Sequence, residues 1–176
     1  MKNKNVIYIR HGSDKKGDYK YDEKLTSEGK KGAVELSKKL IALYGIPDII
    51  YYSPFYRTRQ TRKAMIHAIK EYNREIGENK MPELVLEPRL GRFFTKKQRR
   101  DPNIRSSTMH KGAIIDERWD EFKERVKEQY DEVMNNKHAL IWNITHTLVL
   151  LQVSNLSNIE RNPHVEYLDY CIVNKN

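Results

Sequence analysis

Val6-Ile7-Tyr8-Ile9, running directly into Arg10-His11-Gly12, is the stretch that decides the fold. The apolar run is short and β-branched, the composition of a buried strand. A cation, an imidazole and a glycine follow where such a strand would emerge. Two later segments are organised the same way. Asp48-Ile49-Ile50-Tyr51-Tyr52 leads into Ser53-Pro54-Phe55-Tyr56-Arg57-Thr58-Arg59-Gln60-Thr61, and Ala139-Leu140-Ile141-Trp142-Asn143-Ile144 leads into Thr145-His146-Thr147. Open parallel α/β sheets bind ligands beyond the carboxyl ends of their strands. Three such strands side by side would gather Arg10, His11, Arg57 and His146 in one crevice. Two guanidiniums and two imidazoles there suit a doubly charged phosphoryl group.

Helical patterns separate these strands. Leu25-Thr26-Ser27-Glu28-Gly29 opens the first, with Thr26 as N-cap and Glu28 in the first turn. Ala33, Leu36, Leu40 and Leu43 form its apolar stripe, and Gly45 and Pro47 end it. A second helix is predicted from about Arg57 to Tyr72, with Met65, Ala68, Ile69 and Tyr72 on its buried face. Ser53 reads as a cap or turn residue before it. Leu84-Val85-Leu86 is a short strand. Trp119, Phe122, Val126, Tyr130 and Val133 signal a third helix starting near Asp116. A fourth follows His146, with Leu148, Val149, Leu151 and Leu156. The tail from Val165 to Val173 can add an edge strand. This alternation predicts a three-layer α/β/α sandwich with a mostly parallel central sheet.

Residues 92–112 break the alternation. They hold Arg92, Lys96, Lys97, Arg99, Arg100, Arg105 and Lys111, with few apolar side chains after Phe94. They are read as a basic loop or lid within a single domain, 1–176, either an ordinary solvated face or, through Arg92, Lys96, Lys97, Arg99 and Arg100, a means of selecting substrates with extra negative charge.

The chain has 176 residues, 33 Lys and Arg against 24 Asp and Glu, and a formal net charge of +9. That length supports one domain with a real core, and the charge favours anionic partners. No apolar run approaches a membrane span, and the first residues lack the apolar centre of a signal peptide. A lone cysteine, Cys171, excludes an internal disulfide. A cytoplasmic protein without membrane attachment is expected. Zinc-finger spacing, a glycine-rich phosphate loop and recognisable RNA modules are missing, so nucleic acid is not the expected partner.

In these motifs the chain resembles the histidine phosphatase superfamily, also called phosphoglycerate mutase-like. Arg10-His11-Gly12 is similar to its Arg-His-Gly. Leu25-Thr26-Ser27-Glu28-Gly29 is similar to its Leu-Thr-x-x-Gly, and Ser53 to Thr61 to its Ser-Pro-x-x-Arg-x-x-Gln-Thr. Thr145-His146 matches its second histidine. The resemblance spans positions 6 to about 150. It implies a phosphoglycerate mutase-like fold and a phosphatase that works through a phosphohistidine on His11. Arg10, Arg57 and His146 would hold the phosphoryl oxygens. Beside that implication, Gly12, Ser13, Thr147 and Arg92 are expected here as substrate-binding residues. No metal or other cofactor is implied, and the partner is an anionic phosphorylated substrate. Mutase activity is the lesser variant, because the phosphoenzyme would have to survive until a second substrate oxygen attacks.

The sequence departs from the family in two places. The glutamate expected in a Leu-x-Glu context falls on Arg92, within Glu87-Pro88-Arg89-Leu90-Gly91-Arg92. The asparagine often found beyond Arg-His-Gly is also missing, with Lys16 and Gly17 in that region. Proton donation to a leaving group contributes about 10²- to 10⁴-fold in rate. Three readings stay open: Glu87 reaches the site, Asp116 or Glu117 supplies the acid (Glu117 being the choice carried forward), or no side chain does. In the last case the leaving group must need little protonation, or the chain is a phosphate-binding protein with little turnover.

Overall fold

The computed structural model describes residues 4–14, 24–102, 104 and 112–175. The three apolar runs form β1 (Lys4–Arg10), β2 (Ile49–Tyr52) and β4 (Leu140–Thr145) of a five-stranded sheet. Glu83–Leu86 is β3, and Tyr170–Lys175 is β5; the strand order is β3-β2-β4-β1-β5. All neighbours are parallel except β5, which runs antiparallel along β1. Parallel strands send their carboxyl ends to one edge, so the motifs after β1, β2 and β4 meet there.

Side-chain alternation then sorts the two faces. Ile7 and Ile9 of β1, Ile50 of β2 and Trp142 and Ile144 of β4 point to one face. There they pack on α1 (Ser27–Tyr44) and α2 (Tyr56–Ile76) through Ala33, Leu40, Ile41, Met65 and Ile69. Val6, Tyr8, Ile49, Tyr51 and Ile141 point to the other. They meet Phe122, Val126 and Val133 of α4 (Trp119–Asn135) and Val149, Leu150 and Val153 of α5 (Thr147–Leu156). The three-layer α/β/α sandwich is therefore the one expected. The helix α3 is a single short turn, Lys96–Arg99.

The central strand β4 is buried along its whole length. It buries two polar side chains: Thr145 Oγ1 donates to Leu90 O at 2.8 Å, and Asn143 joins a buried chain of hydrogen bonds through its Oδ1. Tyr8 Oη donates to Gln129 Oε1 at 2.9 Å, and Gln129 Nε2 donates to Asn143 Oδ1 at 2.9 Å. At the opposite end of the sheet, Asp48 Oδ2 accepts the N–H groups of Ala139 and Leu140, both at 3.0 Å, and fixes the entry of β4.

Several boundaries and faces differ from the periodic reading. Leu43 is 59 % exposed, because α1 turns its inner face through Ala33, Ser37, Leu40 and Ile41 instead. Leu148 is exposed and α5 buries Val149, Leu150, Val153 and Ser154. The third long helix begins at Trp119, whose ring lies on the surface stacked on Phe122. Residues 92–112 are more than a polar loop: Phe94 and Ile104 are buried with Phe55 in a small apolar cluster, and Thr95 caps α3 through a capping box. Lys16, Gly17, Arg105, His110 and Lys111 lie outside the described residues. Among the described residues, no helix is long and apolar enough to cross a membrane.

Candidate active site

The backbone ladder extends one residue past the strands and seats the site. The N–H of His11 donates to Thr145 O at 3.0 Å, and that of Ser53 donates to Ile144 O at 3.1 Å. His11, Ser53 and His146 thus sit side by side at the carboxyl edge of β1, β2 and β4. Arg57 rises from the first turn of α2 into the same place.

The motif residues outside the crevice form one interlocked support. The N–H of Gly12 donates to Thr61 Oγ1 at 3.0 Å, and Thr61 Oγ1 donates in turn to Arg57 O at 2.9 Å. The N–H of Leu25 donates to Gln60 Oε1 at 2.6 Å. Thr26 caps α1 through the N–H of Gly29 at 2.9 Å, as expected. Gly12 and Gly29 are needed for closeness: a Cβ on Gly12 would stand 2.6 Å from Gly29 O, and one on Gly29 would collide with the Ser13 backbone. The Arg-His-Gly, Leu-Thr-x-x-Gly and Ser-Pro-x-x-Arg-x-x-Gln-Thr segments are thus three sides of one contact.

Arg57 bridges the two imidazoles. Its Nε donates to His11 Nε2 at 3.0 Å, and its Nη2 donates to His146 Nδ1 at 3.1 Å. An arginine only donates, so both ring nitrogens accept. His11 Nδ1 must then carry the hydrogen, and it donates to Gly12 O at 2.9 Å. His146 carries its own on Nε2, which donates to Ser53 Oγ at 3.0 Å. Both rings are neutral in this arrangement. Burial holds His11 well below the usual imidazole range, with Arg57, Arg10 and Arg92 pushing the same way against the Gly12 carbonyl. His146 is held down by burial, then Arg57, His11, Arg92 and Arg10.

Arg10 is half-buried with its guanidinium 4.1 Å over the Tyr167 ring, and it donates to Val165 O. Its Nε is buried without a hydrogen-bond partner among the described residues, a donor left over for a ligand oxygen. Arg92 stacks over Phe94 at 5.1 Å and contributes its positive charge to the environment of both imidazoles. Thr147 opens α5 directly after His146, and Ser13 lends its carbonyl to the N–H of Thr26 at 2.9 Å.

The structure does not deliver the expected proton donors as free carboxyls. Glu117 is buried with both oxygens on Arg125, at 2.5 and 2.8 Å. Arg125 in turn donates to Arg89 O and Gly91 O. This buried pair pins the 89–91 segment, which corrects the reading of Glu117 as the acid. Glu87 caps the 3₁₀ turn Pro88–Leu90 and binds Arg89 through both oxygens, at 3.0 and 2.7 Å. Ser53 turns the chain before α2, as expected: its Oγ accepts the N–H of Phe55 at 3.5 Å and its carbonyl accepts from Thr58 Oγ1 at 2.7 Å, while the N-cap position is Phe55. The same hydroxyl also orients His146.

Asp14 and Tyr167 are site residues that sequence reasoning missed. Asp14 Oδ2 lies 3.7 Å from Arg57 Nε, and Tyr167 Oη donates to Asp14 Oδ1 at 2.8 Å. The Tyr167 ring is tilted 5.7 Å from that of His11. Only the proximity of Asp14 to Arg-His-Gly was a sequence signal; Tyr167 had none. Among the described residues no three His, Cys, Asp or Glu side chains converge as a metal site requires.

A family profile described as Histidine phosphatase superfamily (branch 1) matches residues 6–160. No curated protein matches the chain in sequence. Among solved structures, the chain is similar to a candidate alpha-ribazole-5'-P phosphatase from Escherichia coli, with TM-score 0.67 and 17 % identity over 98 % of this chain and 91 % of that one. It is also similar to the protein histidine phosphatase SixA complexed with tungstate, with TM-score 0.63 and 16 % identity over 96 % and 86 %. A phosphoserine phosphatase from Entamoeba histolytica in complex with 3-phosphoglyceric acid gives TM-score 0.59 and 18 % identity over 96 % and 89 %. At these identities the likeness is one of fold.

Proposed function

The chain belongs to the histidine phosphatase superfamily, and from that premise we propose that it is a phosphatase that transfers a phosphoryl group to His11 and then to water. The observation that carries this reading is the bridge from Arg57 to two neutral imidazoles. A histidine attacks only when neutral, and Nε2 of His11 is the nitrogen whose lone pair is left by the Gly12 contact. An arriving phosphoryl group takes Arg57 from His11 Nε2, which frees that lone pair for attack on phosphorus. Arg10, Arg57 and Arg92 then offset the charge on the transferring oxygens, a task that asks for fixed cations and no metal. His146, oriented by Ser53, faces the same group.

The substrate class is a phosphorylated metabolite, nucleotide or phosphoprotein. Arg92 and the exposed Lys96, Lys97 and Arg100 favour one with more than a single phosphoryl charge. A second reading, a phosphate-binding protein with little turnover, is favoured by the engagement of Glu87 and Glu117 in ion pairs.

The deciding test is phosphate release from p-nitrophenyl phosphate without added metal, in the wild type and in His11→Ala. Turnover by the wild type, lost in the variant along with an acid-labile phosphoenzyme, supports the phosphatase. No turnover in either, with vanadate bound by both, supports the binding protein and overturns the phosphatase.

A further inference from the structure

We propose that Asp14 exchanges the proton with the leaving oxygen, and that Tyr167 positions it to do so. This rests on the phosphohistidine reading of His11.

Two of the carboxylates considered for the role are bound elsewhere, Glu87 to Arg89 and Glu117 to Arg125. Asp14 is not so diverted. Its Oδ2 lies 3.7 Å from Arg57 Nε, the same nitrogen that stands 3.0 Å from His11 Nε2. Asp14 and the nucleophile therefore flank one edge of one guanidinium. The placement is built from two sides. An isolated antiparallel bridge ties Asp14 to Leu25, so its backbone is fixed next to the cap of α1. From the other side, Tyr167 Oη donates to Oδ1 at 2.8 Å.

Tyr167 is itself delivered by a strained turn. Leu168 has φ +62°, a left-handed conformation rare for a leucine, and its N–H faces His11 O at 3.4 Å. The N–H of Arg10 donates to Asp169 O at 2.8 Å, which ties the turn to β1. The result is a tyrosine wedged between Arg10, His11 and Asp14. Burial and the Asp14 contact raise its phenol above the ordinary range, so it remains a hydrogen-bond donor to that carboxyl.

As Arg57 turns from Asp14 and His11 to the phosphoryl oxygens, the Asp14 carboxylate loses its counter-charge and takes a proton from solvent. His11 Nε2 attacks phosphorus and the P–O bond to the leaving group breaks. The Asp14 carboxyl gives its proton to the departing oxygen and becomes a carboxylate. In the second half, water attacks the phosphohistidine. Asp14 takes the proton from that water, the P–N bond breaks, and hydrogen phosphate leaves with His11 neutral; Asp14 returns its proton to solvent as Arg57 comes back.

The test compares leaving groups in rapid-quench experiments on Asp14→Asn, Asp14→Glu and Tyr167→Phe. With glycerol 2-phosphate, whose alkoxide needs a proton, D14N slows phosphoenzyme formation by about 100-fold or more. With p-nitrophenyl phosphate the first burst of nitrophenolate is slowed at least about ten-fold less than the alkyl reaction, and phosphohistidine then accumulates because its hydrolysis lacks a base. D14E restores part of the alkyl activity, and Y167F shows a smaller loss with the same leaving-group bias. Equal slowing of both substrates in D14N, or in Y167F if D14N does not fold, overturns the proposal and leaves a structural role only. A wild type that forms no phosphoenzyme from either substrate overturns the phosphohistidine reading itself, and this one with it.

Discussion

The chemistry of His11 depends on a tautomer fixed by a neighbour one residue away. The Gly12 carbonyl takes the Nδ1 hydrogen, Arg57 takes the Nε2 lone pair, and burial keeps the ring uncharged. Part of that neutrality is electrostatic and can be removed. In Arg57→Ala the His11 imidazole should titrate at a higher pH than in the wild type, where it stays neutral well below pH 6.5. The midpoint does not return fully, because burial is the larger cause. Imidazole carbon–proton NMR shifts followed from pH 8 to 5 measure this directly. An unchanged His11 midpoint in the variant would mean that burial alone sets it. The sequence announced His11 and Arg57 through their motifs. It could not announce that Ser53 serves His146, since that hydrogen bond joins residues 93 positions apart.

At the scale of elements, the first helix is anchored to the segment that follows His11 by the contact of Gly29 with Ser13. Alanine at a helical glycine normally stabilises, by up to about 1 kcal/mol. Here the added methyl meets backbone, and overpacking costs about 1–3 kcal/mol. The clash should win: Gly29→Ala lowers stability and, by moving the backbone that carries His11, lowers activity as well. Thermal unfolding and turnover of the same preparation check both, and a G29A protein of equal or higher stability defeats the argument. The helices were legible as helices, but their inner faces less so. Leu43 and Leu148 match an apolar spacing, yet the packing against the sheet selects Ile41 and Leu150. An apolar residue at a stripe's margin can point either way, and the sheet decides.

For the whole molecule, two buried neutral imidazoles tie stability to pH. Both have folded values lowered well below 6.5, whereas unfolded histidines titrate near 6.5. Below pH 6.5 the unfolded chain therefore binds protons that the folded chain refuses. Their contribution is fully present above that pH and is lost as pH falls, by up to about 1.4 kcal/mol per unit for each ring. Urea denaturation at pH 7.5 and 5.5 should show a marked drop in midpoint before the carboxylates begin to protonate. Equal midpoints would contradict two neutral buried rings. The overall architecture was the most legible level, because three strand-to-motif junctions in a parallel sheet must share an edge. The antiparallel tail was read only as an edge strand. That the turn leading into it brings Tyr167 against His11 depends on the end-to-end closure of the fold, which local patterns do not carry.

On the phosphatase reading proposed above, the bridge of Arg57 also makes the site its own inhibitor. The nucleophilic lone pair is sheathed by a guanidinium until an oxyanion draws that cation away. Unsheathing and recognition are then a single event, so the blade is exposed only to the anion it is meant to cut, and uncharged electrophiles meet a covered histidine.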